Sequence, residues 1–326
     1  MTVPAMPHLS PGEQRSPHAA LRGRDFLSVD DLSSTEILGI FRLAADMKRN
    51  RAAYRKTLEG VIMALIFEKP SLRTRTTFDV GIKELGGDSI YLSPAEINLG
   101  KRESVYDVAK NLERMVQAIM IRTFAHEVCT GLAHHASIPV INGLTDLEHP
   151  CQAMADFFTM TEYLGNLPQK KLVYMGDGNN VAHSLMLAAA KLGARLTVCT
   201  PERYGPSEAV VRRAQAIASG TGGSIGLTAD PAAAASGADM IYTDVWASMG
   251  QEAEAAERRK VMMPYQVNGD LFRRANPAAI FMHCLPAHRG EEVTDEVIDA
   301  ERSVVFPQAE NRLHVQKAIM FELLKD

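Results

Sequence analysis

The segment Glu68–Thr77 concentrates side chains that bind phosphate oxygens. It follows an apolar run and leads into a helical pattern, so Ser71 and Thr74 offer hydroxyls beside the unpaired backbone N–H groups of a helix start. Arg73 and Arg75 add guanidinium forks that match the geometry of a phosphate. The alternative interpretation is a capped helix with solvated arginines. The density of hydroxyl and guanidinium groups at one strand end favours the phosphate site.

Two further segments place an arginine and a histidine directly after apolar runs. Arg122 ends one such run, and His149 precedes Pro150, a residue suited to the first position of a helix. An arginine and an imidazole in these positions can hydrogen-bond a carbonyl oxygen and stabilise the negative charge that grows as a tetrahedral centre forms. Taken alone, His149 is equally compatible with helix capping.

A second group of polar segments suits an amino acid that carries an amine. Asn179 and Asn180 offer amide donors and acceptors at a helix start, and Asp244 follows another apolar run, where a carboxylate can hold a cationic amine. The alternative for Asp244 is a loop cap. Cys284 is either a packing residue or a polar participant. Arg312 is predicted at the start of the C-terminal helix.

The elements that must position these polar side chains are short apolar runs. The runs alternate with helical patterns along the chain. Each run has the length of a strand and is followed by turn residues and a helix, which predicts parallel sheets with crossover helices. Ligands of such sheets bind beyond the carboxyl ends of the strands, where the polar segments fall. The predicted strands are Val61–Phe67, Ser89–Leu92, Ala118–Ile121, Pro139–Ile141, Leu172–Met175, Arg195–Cys199, Met240–Thr243, Ile280–His283 and Ser303–Phe306.

The length of 326 residues is sufficient for two domains, each with its own core. Gly165, Asn166 and Pro168 mark the boundary, which is predicted between residues 155 and 170. The predicted organisation is a disordered tail over residues 1–24, a first domain over 25–160 and a second over 161–326.

Composition and charge exclude several classes of protein. The formal net charge of −4 argues against a nucleic-acid binder. The four cysteines show no metal-ligand or disulfide spacing, which favours a reducing, cytoplasmic setting. No run approaches the roughly 18 apolar residues of a membrane-spanning helix. The turn Gly176–Gly178 superficially matches a dinucleotide fingerprint, but it lacks the third glycine, so a nicotinamide-dependent dehydrogenase is a weak alternative.

Taken together, these segments resemble the aspartate/ornithine carbamoyltransferase family, in particular its ornithine branch. The resemblance covers the chain from about Phe26 to the C-terminus. A single motif would be weak, but seven motifs in family order are highly specific. The motifs are Ser71-Leu-Arg-Thr-Arg75, Arg122, His149-Pro-Cys-Gln152, Asp177-Gly-Asn-Asn180, Asp244-Val-Trp-Ala-Ser-Met-Gly250, His283-Cys-Leu-Pro286 and Glu310-Asn-Arg312.

The resemblance implies a set of site residues. Arg122, His149, Asp244 and Cys284 are implied as catalytic. Carbamoyl phosphate is implied to bind Ser71, Leu72, Arg73, Thr74, Arg122, His149, Gln152, Cys284, Leu285 and Arg312. Ornithine is implied to bind Asn180, Asp244, Ser248 and Met249, and Asn98 is implied to reach a neighbouring subunit's phosphate site. Leu72 departs from the threonine of many members: a contribution through the backbone N–H would be kept, whereas a leucine cannot make a hydroxyl contact.

The resemblance also implies a fold and a reaction. The fold class is α/β, with two doubly wound parallel-sheet domains and a C-terminal helix that packs back on the first domain. The first domain binds carbamoyl phosphate and the second L-ornithine, in a cytoplasmic homotrimer or a multiple of it, without cofactor, metal, nucleic acid or membrane. The δ-amine attacks directly, with no covalent enzyme intermediate. The alternatives are a carbamoyltransferase for another amine, such as putrescine, and a non-catalytic sensor.

Overall fold

The computed structural model describes residues 21–97, 99–100, 102–247 and 252–325, and these form two compact units. The first unit consists of residues 21–155 and 310–325, and the second of residues 156–309. Each unit contains one sheet in which all the described strands are parallel. No described helix is both long and apolar enough to cross a membrane.

The first unit is built on a four-stranded sheet in the order β2-β1-β3-β4. β1 is almost entirely buried, because helices cover both faces of a parallel sheet and its strands therefore read as apolar runs. The strands are β1 Ile62–Phe67, β2 Asp88–Leu92, β3 Ala118–Arg122 and β4 Val140–Leu144. The helices are α1 Ser34–Arg49, α2 Leu72–Glu84, α3 Pro94–Ile97, α4 Val105–Leu112 and α5 His126–His135, and α6 Pro150–Leu164 begins in this unit and continues into the second.

The second unit is built on a five-stranded sheet in the order β7-β6-β5-β8-β9. Its central helix, α7, is alanine-rich and buried over most of its length. The strands are β5 Lys171–Met175, β6 Arg195–Cys199, β7 Ser224–Thr228, β8 Met240–Thr243 and β9 Ile280–His283. The helices are α7 Asn180–Lys191, α8 Glu208–Thr221, α9 Pro231–Ala235, α10 Ala255–Met262, α11 Gly269–Phe272 and α12 Asp295–Ile298, and the last helix, α13 Val305–Leu324, begins in this unit.

Residues 310–325, the greater part of α13, pack in the first unit, as the resemblance implied. The Gly23 N–H donates to the Leu323 carbonyl at 3.0 Å, and Lys317 Nζ lies 2.6 Å from Glu84 Oε2. Together with the two parallel sheets, this packing confirms the α/β architecture expected from the sequence.

The predicted strand Ser303–Phe306 is wrong. Ser303 makes a single parallel bridge to Phe281 in β9, and α13 begins at Val305. A short apolar run does not distinguish a strand from a buried helix start, and Pro307 suits a first helical turn. Because α13 starts earlier than expected, Arg312 lies roughly two turns into the helix instead of at its start.

The edge strand β7 was absent from the prediction. Its sequence, Ser224–Thr228, includes a glycine, and Leu227 is half-exposed. An edge strand that is covered less completely has no continuous apolar signal.

Candidate active site

The polar segments fall at the switch point of each sheet, where the strand order reverses. In the first sheet the chain runs outward from β1 to β2 and then outward from β3 to β4, so the carboxyl ends of β1 and β3 are neighbours. In the second sheet β5 and β8 are neighbours for the same reason. Loops diverge at such points and leave a crevice, which is where doubly wound sheets bind ligands.

At the first switch point, several residues form hydrogen bonds to Thr74. It lies in the first turn of α2, where Ser71 Oγ accepts its N–H at 3.2 Å. Arg122 Nη1, at the end of β3, donates to Thr74 Oγ1 at 3.4 Å, and Arg312 Nη2 donates to the same oxygen at 2.8 Å. A hydroxyl that accepts two bonds can still donate its proton, so this cluster can present one O–H and two guanidinium groups to an anion.

His149 is buried beside the same arginines, immediately before α6. Burial holds the pKa of His149 well below its usual 6.5, and the charges of Arg312, Arg122 and Arg73 lower the pKa further. The imidazole is therefore neutral at physiological pH, and a neutral ring carries one N–H to donate. Such a donor suits a carbonyl oxygen on which negative charge grows.

The other residues predicted for the anion differ in their placement. Gln152 is buried in the first turn of α6. Leu72 is 77% exposed, and its contribution to binding stays a prediction. Arg75, grouped with Arg73 on sequence grounds, stacks on Tyr91 of β2, with Cζ 3.7 Å from the ring centroid.

At the second switch point, Asp244 forms hydrogen bonds to residues of two other loops. Asn179 caps α7, since its Oδ1 accepts the N–H groups of Val181 and Ala182 at 3.0 and 3.2 Å. Asn179 Nδ2 donates to Asp244 Oδ2 at 2.9 Å, and the Cys284 thiol donates to Asp244 Oδ1 at 3.0 Å. Both oxygens of this buried carboxylate are therefore hydrogen-bonded. The predicted residue Asn180 is the first residue of α7.

The Cys284 thiol is neutral in this arrangement. Desolvation, followed by the negative charge of Asp244, raises the pKa of Cys284 well above its usual 9.0. At physiological pH the group is a thiol, which donates to Asp244 and keeps a weak acceptor on sulfur. Cys284 can orient an amine, but it is not available as a thiolate nucleophile.

His283 holds the backbone after Cys284 in an uncommon conformation. Leu285 has φ = 57°, in the left-handed region that residues other than glycine rarely adopt. The Leu285 N–H donates to His283 Nδ1 at 2.8 Å, and His283 Nε2 lies 3.2 Å from Glu292 Oε1. Since Nδ1 accepts, the ring proton is on Nε2 and is donated to Glu292. Strained backbone of this kind concentrates at ligand sites.

Asp244, His283 and Cys284 bring potential metal-ligand atoms within 4.8 Å of one another. Both ring nitrogens of His283 are engaged, with Leu285 and with Glu292. A metal at this position would break one of these hydrogen bonds. The expectation that the protein needs no metal stays a prediction.

Three of the predicted site residues lie outside the described part of the chain. They are Asn98, Ser248 and Met249. Their roles stay predictions.

Three residues near the two switch points were not singled out individually from the sequence. Lys69 is buried, with Nζ 4.1 Å from the Phe124 ring centroid, and its pKa is lowered by desolvation and by Arg122. Arg258 and Asp177 form a buried ion pair in the second unit. Asp177 stood inside a recognised motif, whereas Arg258 belongs to a run of charges that is typical of a solvated helix face.

Two parts of the chain match the two domains of one protein family. Residues 24–162 match the domain described as aspartate/ornithine carbamoyltransferase, carbamoyl-P binding domain. Residues 168–323 match aspartate/ornithine carbamoyltransferase, Asp/Orn binding domain. The chain belongs to the aspartate/ornithine carbamoyltransferase family.

Individual relatives agree with this membership. The ornithine carbamoyltransferase of Thermococcus kodakarensis is 54% identical over 303 residues, which cover 92% of this chain and 96% of that protein. The ornithine carbamoyltransferase of Symbiobacterium thermophilum is 54% identical over 302 residues, covering 92% and 97%. The structure of ornithine carbamoyltransferase from Pyrococcus furiosus superposes with a TM-score of 0.90 at 52% identity, covering 93% of this chain and 98% of that chain.

These matches confirm the assignment that the ordered motifs indicated. The two domains of the aspartate/ornithine carbamoyltransferase family are matched over nearly the whole described chain.

Proposed function

We propose that this protein is an ornithine carbamoyltransferase, which transfers the carbamoyl group of carbamoyl phosphate to the δ-amine of L-ornithine and yields L-citrulline and phosphate. Family membership and the named relatives support this reaction. For this chain, the observation that carries the proposal is the presence of two matched groups. The group around Thr74 suits a phosphate, and the group around Asp244 suits an amine.

The first group binds carbamoyl phosphate in this proposal. Arg73, Arg122 and Arg312 offset the phosphate charge, while Thr74 and the backbone N–H groups at the start of α2 donate to its oxygens. His149, neutral and buried, donates to the carbamoyl oxygen. As the amine attacks, charge grows on that oxygen, and donors fixed beforehand stabilise it most strongly.

The second group binds ornithine. The Asp244 carboxylate attracts the δ-ammonium, and Asn180, with Ser248 and Met249, binds the amino-acid end. A free δ-ammonium has a pKa of about 10.4, like that of lysine, and must lose a proton before it attacks. Cys284 orients the neutral amine through its sulfur while its own proton stays directed at Asp244.

No covalent enzyme intermediate is required. The neutral amine forms the new C–N bond, the C–O bond to phosphate breaks, and phosphate leaves with the electron pair and takes up the proton that the attacking nitrogen loses. We also infer a homotrimer, or a multiple of it, in the cytoplasm. The resemblance supports the assembly, and the four free cysteines fit a reducing compartment.

The test is citrulline formation from carbamoyl phosphate, with ornithine, putrescine, N-acetylornithine and aspartate as parallel acceptors. We expect fast turnover with ornithine alone, and kcat that rises toward alkaline pH because the attacking form is the neutral amine. A preference for putrescine, which lacks the α-carboxylate, would overturn the ornithine assignment. A flat pH profile at saturating carbamoyl phosphate would contradict the role of amine deprotonation.

A further inference from the structure

Asp156 is a fully buried carboxylate in α6 that the reaction described above does not use. Burying such a group is costly unless hydrogen bonds compensate it, so the bonds that it accepts identify the structure it supports. Tyr242, in β8, donates its hydroxyl proton to Asp156 Oδ2 at 3.0 Å, and Gln308 Nε2, in the first turn of α13, donates to Asp156 Oδ1 at 2.7 Å. These three residues, here called the Asp156 network, are all fully buried and belong to the second unit.

The carboxylate fixes the direction in which the Gln308 amide points. A carboxylate only accepts hydrogen bonds, so the nitrogen of the amide, and not its oxygen, must face Asp156. The same Nε2 also donates to the Tyr242 hydroxyl oxygen at 3.2 Å, and the amide oxygen accepts the backbone N–H of His283 at 3.0 Å. Asp156 therefore holds, through Gln308, the backbone of the residue that immediately precedes Cys284.

Tyr242 connects the same carboxylate to the Cys284 side chain. Burial, followed by the charge of Asp156, raises the pKa of Tyr242 well above its usual 10.0, so the hydroxyl keeps the proton that it donates. Burial and the charges of Asp244 and Asp156 raise the pKa of Cys284, whereas a hydrogen bond with the Tyr242 side chain opposes that rise. The Cys284 sulfur therefore contacts Tyr242 as well as Asp244, to which its proton is donated at 3.0 Å.

Two paths from one buried carboxylate therefore reach Cys284. A sulfur that orients a small amine must be placed accurately, because a displacement of about 1 Å can slow a reaction roughly 100-fold. We propose that Asp156 is a positioning residue for the Cys284 sulfur: through Gln308 it fixes the backbone at His283, and through Tyr242 it fixes the side chain that contacts the sulfur. This inference rests on the proposed function, in which the sulfur orients the attacking amine.

The first test compares Asp156→Asn with Glu162→Gln. Both variants remove one negative charge from α6 and keep the size of the side chain, but Glu162 is partly exposed. An asparagine can accept from Gln308 but can also donate toward the Tyr242 hydroxyl, so the directions of the hydrogen bonds are no longer fixed. We expect Asp156→Asn to lower kcat about tenfold or more, with the KM for carbamoyl phosphate within about twofold of the wild type. Glu162→Gln should match the wild type.

Exchanging the carboxylate and the amide should rescue the loss. In Asp156→Asn/Gln308→Glu, the asparagine can donate to the new carboxylate, which can accept both the His283 N–H and the Tyr242 hydroxyl. Because residues in one hydrogen-bond network are coupled, this double variant should recover at least about threefold in kcat over Asp156→Asn. Gln308→Glu alone places two carboxylates side by side and should stay below the wild type. Losses that simply add in the double variant would contradict the network.

Alkylation of the native protein by iodoacetamide reports on Cys284 without substrates, because the other three cysteines are fully buried. Asp156→Asn removes a negative charge near the thiol and should speed alkylation at fixed pH about threefold or more. Tyr242→Phe removes the hydrogen bond that favours the thiolate and should slow it. Tyr163→Phe, at an exposed tyrosine of α6, is the control and should leave the rate unchanged. Faster alkylation in both Asp156→Asn and Tyr242→Phe would mean a general loosening of the fold and would overturn the inference.

The outcomes distinguish the two proposals. A wild-type enzyme that does not carbamoylate ornithine would refute the proposed function, while the alkylation rates would still test the Asp156 network. An active wild type in which Asp156→Asn and Glu162→Gln have the same kcat would refute the positioning role alone. If Asp156→Asn fails to fold, Tyr242→Phe replaces it, and a kcat equal to that of Tyr163→Phe would equally overturn the inference.

Discussion

In the group of residues around Thr74, here called the anion group, two arginine side chains converge on a single hydroxyl oxygen. Arg122 and Arg312 both donate to Thr74 Oγ1, and Arg73 lies close enough to His149 to lower the pKa of that ring. Like charges held together in a buried position repel each other, and an anion relieves the repulsion. The charge of the cluster is therefore matched to a phosphate.

Replacing Thr74 with valine keeps the shape of the side chain and removes the oxygen. Both arginines lose a shared acceptor, and an unsatisfied buried group costs about 1–3 kcal/mol. We expect the KM for carbamoyl phosphate to rise about tenfold or more and kcat to fall, with little change in the ornithine KM. Steady-state kinetics at saturating second substrate measure each effect.

Thr77→Val is the matched control for this substitution. The Thr77 hydroxyl lies on the same helix and donates to the helix carbonyl of Arg73 at 2.8 Å. Its loss should leave both KM values near the wild type. Equal losses in the two variants would mean that the valine disturbs α2 in general, against a specific role for Thr74.

At the scale of elements, the site depends on the close approach of α2 and α13. A Cβ at Gly81 would lie 2.9 Å from Met320 Cε and 3.2 Å from Lys317 Cγ. Glycine lets the two helices pack at this distance, and the hydrogen bond from Arg312 to Thr74 spans the same pair of helices. Packing between these elements therefore sets the geometry of the anion group.

Substituting Gly81 with valine should push α2 away from α13. Overpacking of this kind destabilises by about 1–3 kcal/mol, and the displaced Thr74 should raise the KM for carbamoyl phosphate. Gly220→Val is the control, because Gly220 lies in α8, a Cβ there would have no neighbouring atom within 4 Å, and valine has the better helix propensity. Denaturant unfolding and kinetics together test the prediction; a stable Gly81→Val variant with normal kinetics would contradict it.

At the scale of the whole molecule, both units follow one plan. Each sheet is parallel, each reverses its strand order once, and each carries its polar residues at that reversal. The resemblance adds a neighbouring subunit, which is proposed to supply Asn98 to the phosphate site. If one copy completes the site of another, two different inactive variants can restore activity when they assemble together, which two monomers cannot do.

Mixed assemblies of Asn98→Ala and Arg122→Gln subunits should recover activity. In such a trimer some sites combine an intact Arg122 with an intact Asn98 from the neighbour, although each variant alone is nearly inactive. The mass in solution should be about three times the 35.7 kDa of one chain, or a multiple of that. No recovery after co-expression, with mixed trimers demonstrated by affinity tags, would argue against a shared site.

The sequence predicted most of the strands because buried parallel strands are continuous apolar runs. β6, β8 and β9 have the predicted bounds, and β1 differs by one residue. Apolar runs did not predict the secondary structure correctly where tertiary contacts decide the conformation. Val305 and Phe306 are apolar in either a strand or a helix, and Ser224–Thr228 pairs at an edge without a buried pattern.

The order of motifs by itself determined the family, and the polar residues after each apolar run determined where chemistry could occur, because strand ends in parallel sheets share one edge. Tertiary structure alone decided that Arg312, distant in the chain, meets Thr74, and that Arg258 is buried against Asp177. It also decided the protonation of His149 and Cys284, because a pKa depends on burial and on neighbouring charges, which are properties of the folded chain and not of local sequence.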